Sequence, residues 1–389
     1  MKILNNSIVK LLLALAIGIV IGQFAGADLV RIILSVKQIT GQVIFFLVPL
    51  IILGFVAPSI AQLKSNASRI ILFAFSIAYM SSVGAAAFSI GMSYQIVPLL
   101  NIQPNVGGSV ELPEMLFQLD IPPVMSVISA LLLAVFLGLG TAWTKADLME
   151  KLLQQFQQIV LKLVTYILLP ILPIFVAANF AILAYQGDIA RFAIFLPVIL
   201  IVILCHYIWL ALLYGIAALY SGKNSWHVLR HYAPAYFTAL GTMSSAATLG
   251  VALECAHKSD VLDRKVADFS VPLFANIHLC GSVLTEVFFI AVTSQLLYGQ
   301  MPTVGTYVLF VLLLGIFAIG APGVPGGTVL ASLGLVISII GFDDAGTALL
   351  ITIFALQDSF GTACNVTGDG ALTLILTGYA DKHGIKTEN

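Results

Sequence analysis

Apolar runs as long as a bilayer is thick follow one another through the first 220 residues, near 7–25, 40–62, 68–98, 122–143, 155–185 and 190–220. Each is close to or above the ~20 residues a helix needs to cross the hydrocarbon. In lipid every backbone N–H and C=O must be satisfied inside the protein, so only helices and closed barrels span it. A barrel would alternate apolar and polar residues in segments of roughly ten, and these runs do not alternate. The chain therefore reads as an all-α polytopic membrane protein. Composition agrees: 60% of its 389 residues are hydrophobic and 9% charged, against about 25% charged in soluble domains. Several runs exceed the minimum, which implies tilt or helix projecting beyond the bilayer. The net charge of −1 says nothing about partners, and no basic arm suggests nucleic acid.

The four cysteines, Cys205, Cys255, Cys280 and Cys364, are scattered and form neither a disulfide framework nor a metal-type pair. Lys2 and Lys10 precede an apolar stretch that resembles a signal peptide, but it lacks a good cleavage motif and leads into further spans. It reads as an uncleaved first helix.

After residue 220 the apolar runs are broken by small-residue and Pro tracts at 241–248 and 320–328. The distribution of Lys and Arg gives an independent topology. With the N-terminus in the cytoplasm, Lys64, Arg69, Lys145, Lys151, Lys223 and Arg230 fall inside. The connection 99–121 has acidic residues but no Lys or Arg and falls outside. Lys258, Arg264 and Lys265 are inside only if 227–255 enters and returns to the same face. The stretch 303–340 must do likewise from outside, which leaves Lys382 and Lys386 cytoplasmic. Arg31, Lys37 and Arg191 fit this scheme less well. The C-terminal part thus reads as hairpin, helix, hairpin, helix, with halves entering from opposite faces, an inverted repeat of the kind carriers use.

Within the last apolar segment, Asp358-Ser-Phe-Gly-Thr-Ala-Cys-Asn-Val-Thr-Gly-Asp369 places two carboxylates and an Asn at bilayer depth. A charge at the centre of a membrane helix costs about 2.5–3.5 kcal/mol even on the insertion scale. Such groups must line a cavity and meet a cation, a proton or a polar ligand. Polar side chains beside broken backbone are how carriers build a midplane site.

Four motifs in order resemble the dicarboxylate/amino acid:cation symporters, the family of the glutamate transporter homologues. Met243-Ser-Ser-Ala-Ala-Thr-Leu249 is similar to the serine-rich tip of that family's first hairpin, and Gly323-Val-Pro-Gly326 to the tip of its second. Pro272-Leu-Phe-Ala-Asn-Ile-His-Leu-Cys-Gly281 stands where the family has a broken helix, and Asn365-Val-Thr-Gly-Asp369 matches the last-helix motif outright. The local sequence Leu356-Gln-Asp-Ser-Phe-Gly-Thr362 looks most like the serine/threonine:sodium branch.

The resemblance implies eight membrane helices plus two re-entrant hairpins, a homotrimer in the cell's inner membrane and an elevator mechanism. It assigns 1–65 to scaffold helices 1 and 2, 66–98 to a mobile helix 3, 99–185 to scaffold helices 4 and 5, and 186–222 to a mobile helix 6. Hairpin 1 would occupy 223–256, helix 7 257–300, hairpin 2 301–341, and helix 8 with a cytoplasmic tail 342–389. Both termini would be cytoplasmic.

Residue by residue, the resemblance implies a substrate site of Ser244, Ser245, Val324, Gly326, Asp358, Gly361, Thr362 and Asn365. Asp358 matches the holder of the substrate ammonium, and Asn365 the amide that binds its carboxylate. Acidic-substrate members carry an Arg where this chain has Gly361, and that Arg would grip a second carboxylate. Gly361 therefore implies a small neutral amino acid; the competing reading is that it marks close helix packing and another cation supplies the charge.

Sodium would be held by Asp369 and Asn365 with Phe274 and His278, and at a second, mostly backbone site by Asn276, Leu279 and Gly320. A third cation site would use Ser81, Ser82 and Cys280, but cysteine and histidine are poor sodium ligands, which weakens it. Glu286 stands where proton-coupled members carry Glu, and a histidine such as His278 changes charge nearest neutrality. Either offers a proton as an alternative co-ion. The alternatives within transport are a proton-coupled carrier and one for acidic amino acids or C4-dicarboxylates.

His227 and His231 have the i, i+4 spacing of a helical metal pair but no third ligand nearby, and read as headgroup-facing. An intramembrane aspartyl protease would need its carboxylates on facing helices. Asp358 and Asp369 lie eleven residues apart on one segment, roughly 16 Å along a helix. A channel is disfavoured by hairpins whose tips can close. The chain is expected to be a carrier, not an enzyme.

Overall fold

The computed structural model describes residues 7–61, 69–102, 112–187, 194–321 and 326–384. It opens with α1 (Ser7–Phe24) and α2 (Ala27–Ala61). α2 begins well before the apolar run at 40–62, because Asp28, Arg31 and Lys37 lower hydropathy without hindering a helix. Its polar stripe is occupied. Arg31 Nε donates to the Glu114 carbonyl (3.1 Å), and Ser35 Oγ accepts from Leu116 N–H (3.1 Å). The Gln38 amide meets both backbone groups of Leu119 (2.6 and 3.2 Å), and Gln42 accepts from Ile121 N–H (2.5 Å). Positions 31, 35, 38 and 42 share one face of a helix. They strap the irregular segment 112–121 along α2, which explains why Arg31 strays from the positive-inside pattern.

α3 (Arg69–Ile96), α4 (Val127–Thr144), α5 (Asp147–Leu163) and α6 (Leu169–Tyr185) follow. A π turn at Val164–Leu168 joins α5 to α6, and the pair bends by 45°. Pro170 and Pro173 lack the N–H donors that would carry a straight helix through the bend. α6 packs on α1, where Gly18 and Gly22 lie directly against the backbone at Ala177 and Ala181. That is the small-residue helix contact of membrane proteins.

α7 (Phe195–Ser221) ends at Gly222, whose φ of 71° caps it. The short α8 (Trp226–Leu229) leads into the first hairpin, α9 (Ala233–Thr242) and α10 (Ser245–His257). One long span is then split into α11 (Arg264–Ile277) and α12 (Cys280–Tyr298), with His278 extended at φ −118° and ψ 109°. α13 (Val304–Gly320) and α14 (Gly327–Leu335) make the second hairpin. α15 (Asp344–His383) is one continuous helix of 40 residues, started by Asp343, whose side chain accepts from Gly346 N–H at 2.9 Å. The broken backbone near this polar segment therefore lies on the neighbouring α11–α12 span, while the helix of Asp369 runs through.

Among the described residues five helical spans are long and apolar enough to cross a membrane: α2, α3, α7, α11–α12 and α15. The bent α5–α6 pair makes a sixth. α1 and α4, at 18 residues each, are about 27 Å long, near the hydrocarbon thickness. With the two hairpins this is the expected polytopic architecture. α8 precedes the helical arms of the first hairpin.

α12 and α15 form the buried centre, surrounded by α3, α7, α9, α10 and α11. α7 is tied to α15 at several depths. Gln357 Nε2 donates to the Ile199 carbonyl (3.3 Å), and Tyr214 Oη to the Thr367 carbonyl (2.8 Å). Lys223 pairs with Asp381 (2.9 Å), and the Lys382 ammonium donates to the Tyr220 carbonyl while lying over that residue's ring.

Candidate functional site

The site grows from the break at His278 and Leu279. Breaking the helix frees backbone groups, and α15 supplies side chains to meet them. Asn365 Oδ1 accepts from the N–H groups of Gly281 (2.7 Å) and Ser282 (3.2 Å), and its Nδ2 donates to Ser282 Oγ (2.9 Å). These are orphan donors at the start of α12, so Asn365 acts as a helix cap delivered from another helix. Both ends of its amide are engaged there.

Asp369 and His278 meet at 2.9 Å (Oδ1 to Nδ1), and the other imidazole nitrogen, Nε2, lies 2.9 Å from Ser81 Oγ on α3. The pair is sealed, at 1% and 0% side-chain exposure. Ser82 Oγ accepts from Leu279 N–H at 3.4 Å, and Cys280 Sγ points to the Cys364 carbonyl at 4.0 Å. Gly368 is required for this packing: a Cβ there would stand 2.9 Å from His278 Cε1 and 3.1 Å from Cys280 Sγ. The donor set of the third expected cation site is thus two hydroxyls, a thiol and an imidazole, with the ring already in the middle. It does not fit sodium, which seeks oxygen ligands.

Asp358 is buried, and its Oδ2 accepts from Gly326 N–H at 2.6 Å. Gly326 takes φ 73° at the start of α14, a conformation that favours glycine. The bond therefore joins the tip of the second hairpin to α15. Val324 lies outside the described residues. At the first hairpin Met243 turns the chain at φ 53°, Ser244 caps α10 by accepting from Ala247 N–H (3.2 Å), and Ser245 is buried. α10 and α14 both pack on α15. The two tips thus share the helix that carries Asp358, Gly361, Thr362 and Asn365.

Gly361 is not demanded by close packing. A Cβ there would meet Ser282 at 3.4 Å, an ordinary contact. Nor do the neighbouring elements offer a substitute cation: between Lys265 and Lys382 the sequence contains no Lys or Arg.

Other expected ligands are arranged differently. The Asn276 side chain is exposed, and its Nδ2 donates to the Pro272 carbonyl (2.8 Å). The Phe274 carbonyl accepts from His278 N–H at 2.9 Å. Gly320 faces α2, with Val56 about 3.1 Å from where its Cβ would be. Glu286 is fully buried on α12; Oε1 accepts from Ser332 Oγ on α14, while Oε2 has no partner among the described residues. His227 pairs with Asp260 at 2.9 Å, and no group of three metal-type side chains occurs among the described residues.

Sequence reasoning did not identify Ser282, Ser332 or His206. His206 Nε2 lies 3.0 Å from the Gly281 carbonyl and 2.9 Å from Thr285 Oγ1, bracing the start of α12 from α7. The available signal was a polar residue inside an apolar run. Its partners lie 46 to 83 positions away, beyond the reach of local spacing.

Long buried helices with paired polar groups, two hairpins and a broken span define a membrane carrier. A profile of the sodium:dicarboxylate symporter family matches residues 8–379, and the chain belongs to that family, a family of transporters rather than enzymes. An excitatory amino acid transporter of Caenorhabditis elegans is 34% identical over 152 residues, 38% of this chain. Human excitatory amino acid transporter 1 is 28% identical over 205 residues, 51% of the chain. Mouse excitatory amino acid transporter 2 is 28% identical over 252 residues, 61% of the chain. The chain spans 29%, 36% and 42% of the length of these three relatives.

Proposed function

We propose that the protein is a secondary active symporter for a small neutral amino acid of the serine or threonine kind, driven by a sodium gradient. The observation that carries this reading is Asp358, a buried carboxylate bonded to the second hairpin in a 116-residue stretch without a single Lys or Arg between Lys265 and Lys382. A carboxylate in that setting attracts an ammonium far more strongly than in water, though desolvation of both charges offsets much of the gain. The Gly326 N–H stands where the ammonium of a bound amino acid would donate. The substrate carboxylate would fall to backbone N–H groups of the hairpin tips with Ser244 and Ser245. Thr362 and the position of Gly361, which carries no side chain, would receive a short side chain. A second carboxylate would be buried unpaired, a penalty of several kcal/mol.

Sodium would sit among backbone oxygens of the α11–α12 break, near Asn276 and Leu279, with the end of α13 at Gly320. A proton is the second reading for the co-ion, favoured by Glu286: its carboxyl joins α12 to the second hairpin and keeps one oxygen unpartnered among the described residues. Movement would follow the elevator scheme in a homotrimer of the inner membrane with cytoplasmic termini. α1, α2 and α4–α6 would form the frame, and α3 with α7–α15 the moving part. An apolar groove of about 230 Å³ between α2, α3 and α13, lined by Val56, Phe75, Tyr79 and Ile316, lies on the surface along which they would slide.

Uptake into proteoliposomes tests this directly. Serine or threonine should accumulate with an inward sodium gradient and outcompete aspartate. Better uptake of aspartate, or accumulation undiminished without sodium and without a proton gradient, rejects it. Gly361→Arg should move preference toward acidic substrates by tenfold or more.

A further inference from the structure

We propose that the His278 imidazole is a resident occupant of the cation cradle between α3 and α15, so that no sodium ion binds among Ser81, Ser82, Cys280 and Asp369. The cradle has the features that would recruit a cation: a buried carboxylate, two hydroxyls and the loosened backbone of a helix break. Each of those side chains already has an oxygen engaged. Asp369 Oδ1 is held by Nδ1 at 2.9 Å, Ser81 Oγ by Nε2 at 2.9 Å, and Ser82 Oγ by Leu279 N–H at 3.4 Å.

The occupancy does not depend on the charge of the ring. In the neutral tautomer with the proton on Nδ1, the ring donates to Asp369 and accepts from the Ser81 hydroxyl, so both nitrogens are satisfied. Space is closed as well as chemistry. The ring edge and the Cys280 sulfur press on α15 so tightly that Gly368 has no room for a methyl group. A sodium ion would have to expel the imidazole and break both of its bonds, gaining a sulfur ligand it binds poorly.

The consequence rests on the symporter reading: one cation fewer would be carried per cycle than an oxygen-lined cradle would allow. The occupancy itself does not rest on it.

The test uses the purified full-length protein, with sodium alone as the probe and choline as its replacement, reading the thermal unfolding midpoint against sodium concentration. Ser81→Ala should shift the concentration at half-effect by less than twofold. The double variant His278→Asn with Cys280→Asp should gain a sodium-dependent stabilisation, seen as a steeper response with a slope higher by about one. His278→Asn alone, read the same way, serves if the double variant does not fold. A tenfold or greater loss of sodium response in Ser81→Ala overturns the proposal, as does a response in the variants no steeper than wild type. If wild type ignores sodium while the variants acquire a response, the occupancy stands and the sodium-driven reading of transport falls.

Discussion

The α1–α6 side of the molecule and the part around α12 and α15 are held together by different physics. In the first, Gly18 and Gly22 let α1 approach the α6 backbone, and α6 buries apolar side chains such as Phe175, Val176 and Phe180. In the second, long-range polar bonds join the elements: Gly326 to Asp358, Asn365 to Gly281 and Ser282, His278 to Asp369 and Ser81. Lipid tails are as apolar as leucine, so a helix pair in a membrane gains from close packing rather than from hydrophobic burial. A region that must hold polar cargo needs the costlier solution, in which buried polar groups meet partners from other helices.

Breaking the polar region should have the larger effect. Asp358→Ala removes the one carboxylate proposed for the ammonium, and uptake should fall at least a hundredfold with the folded protein retained, measured in proteoliposomes. His278→Ala leaves the buried Asp369 without its donor, and a buried group left unsatisfied costs about 1–3 kcal/mol or more. That should appear as a marked drop in the unfolding midpoint, and an unchanged midpoint would show that the pair contributes nothing. Gly22→Val sharpens the other side of the comparison. Its added carbons would overlap the Ala181 backbone, and overpacking of about 1–3 kcal/mol is expected, with apparent substrate affinity unchanged. The smallest effect belongs to Asp260, outside the spans, whose hydrogen bond to His227 holds its carboxyl below the usual carboxylate range. A depressed value contributes stability above the ordinary carboxylate range and loses it as pH falls through the folded value. Wild type and Asp260→Asn should therefore melt together in strong acid and separate slightly nearer neutrality.

The contrast also decides what could be read in the sequence. Spans set by hydropathy fell within a few residues for α1 and α3, because lipid imposes one rule on every turn. α2 was misjudged at its start, since Arg31 and Gln38 serve a partner segment rather than ending the helix. In the site, Asp358, Asn365 and Asp369 stood out as polar residues in an apolar run. Their partners did not. Nothing in the local pattern shows that Asn365 caps α12 or that His278 turns toward Ser81, because those contacts depend on how separate spans align in depth. Gly368 was legible only as part of a motif; its reason, the imidazole against it, required the packed helices.

The ties between α7 and α15 recur near Ile199, Tyr214 and Lys223. Such redundancy makes the two helices a splint: cutting one rung leaves neighbours above and below to keep the register. Single substitutions along that seam should be forgiven, and a disulfide engineered across it should leave transport intact, whereas one joining α2 to α13 should arrest it.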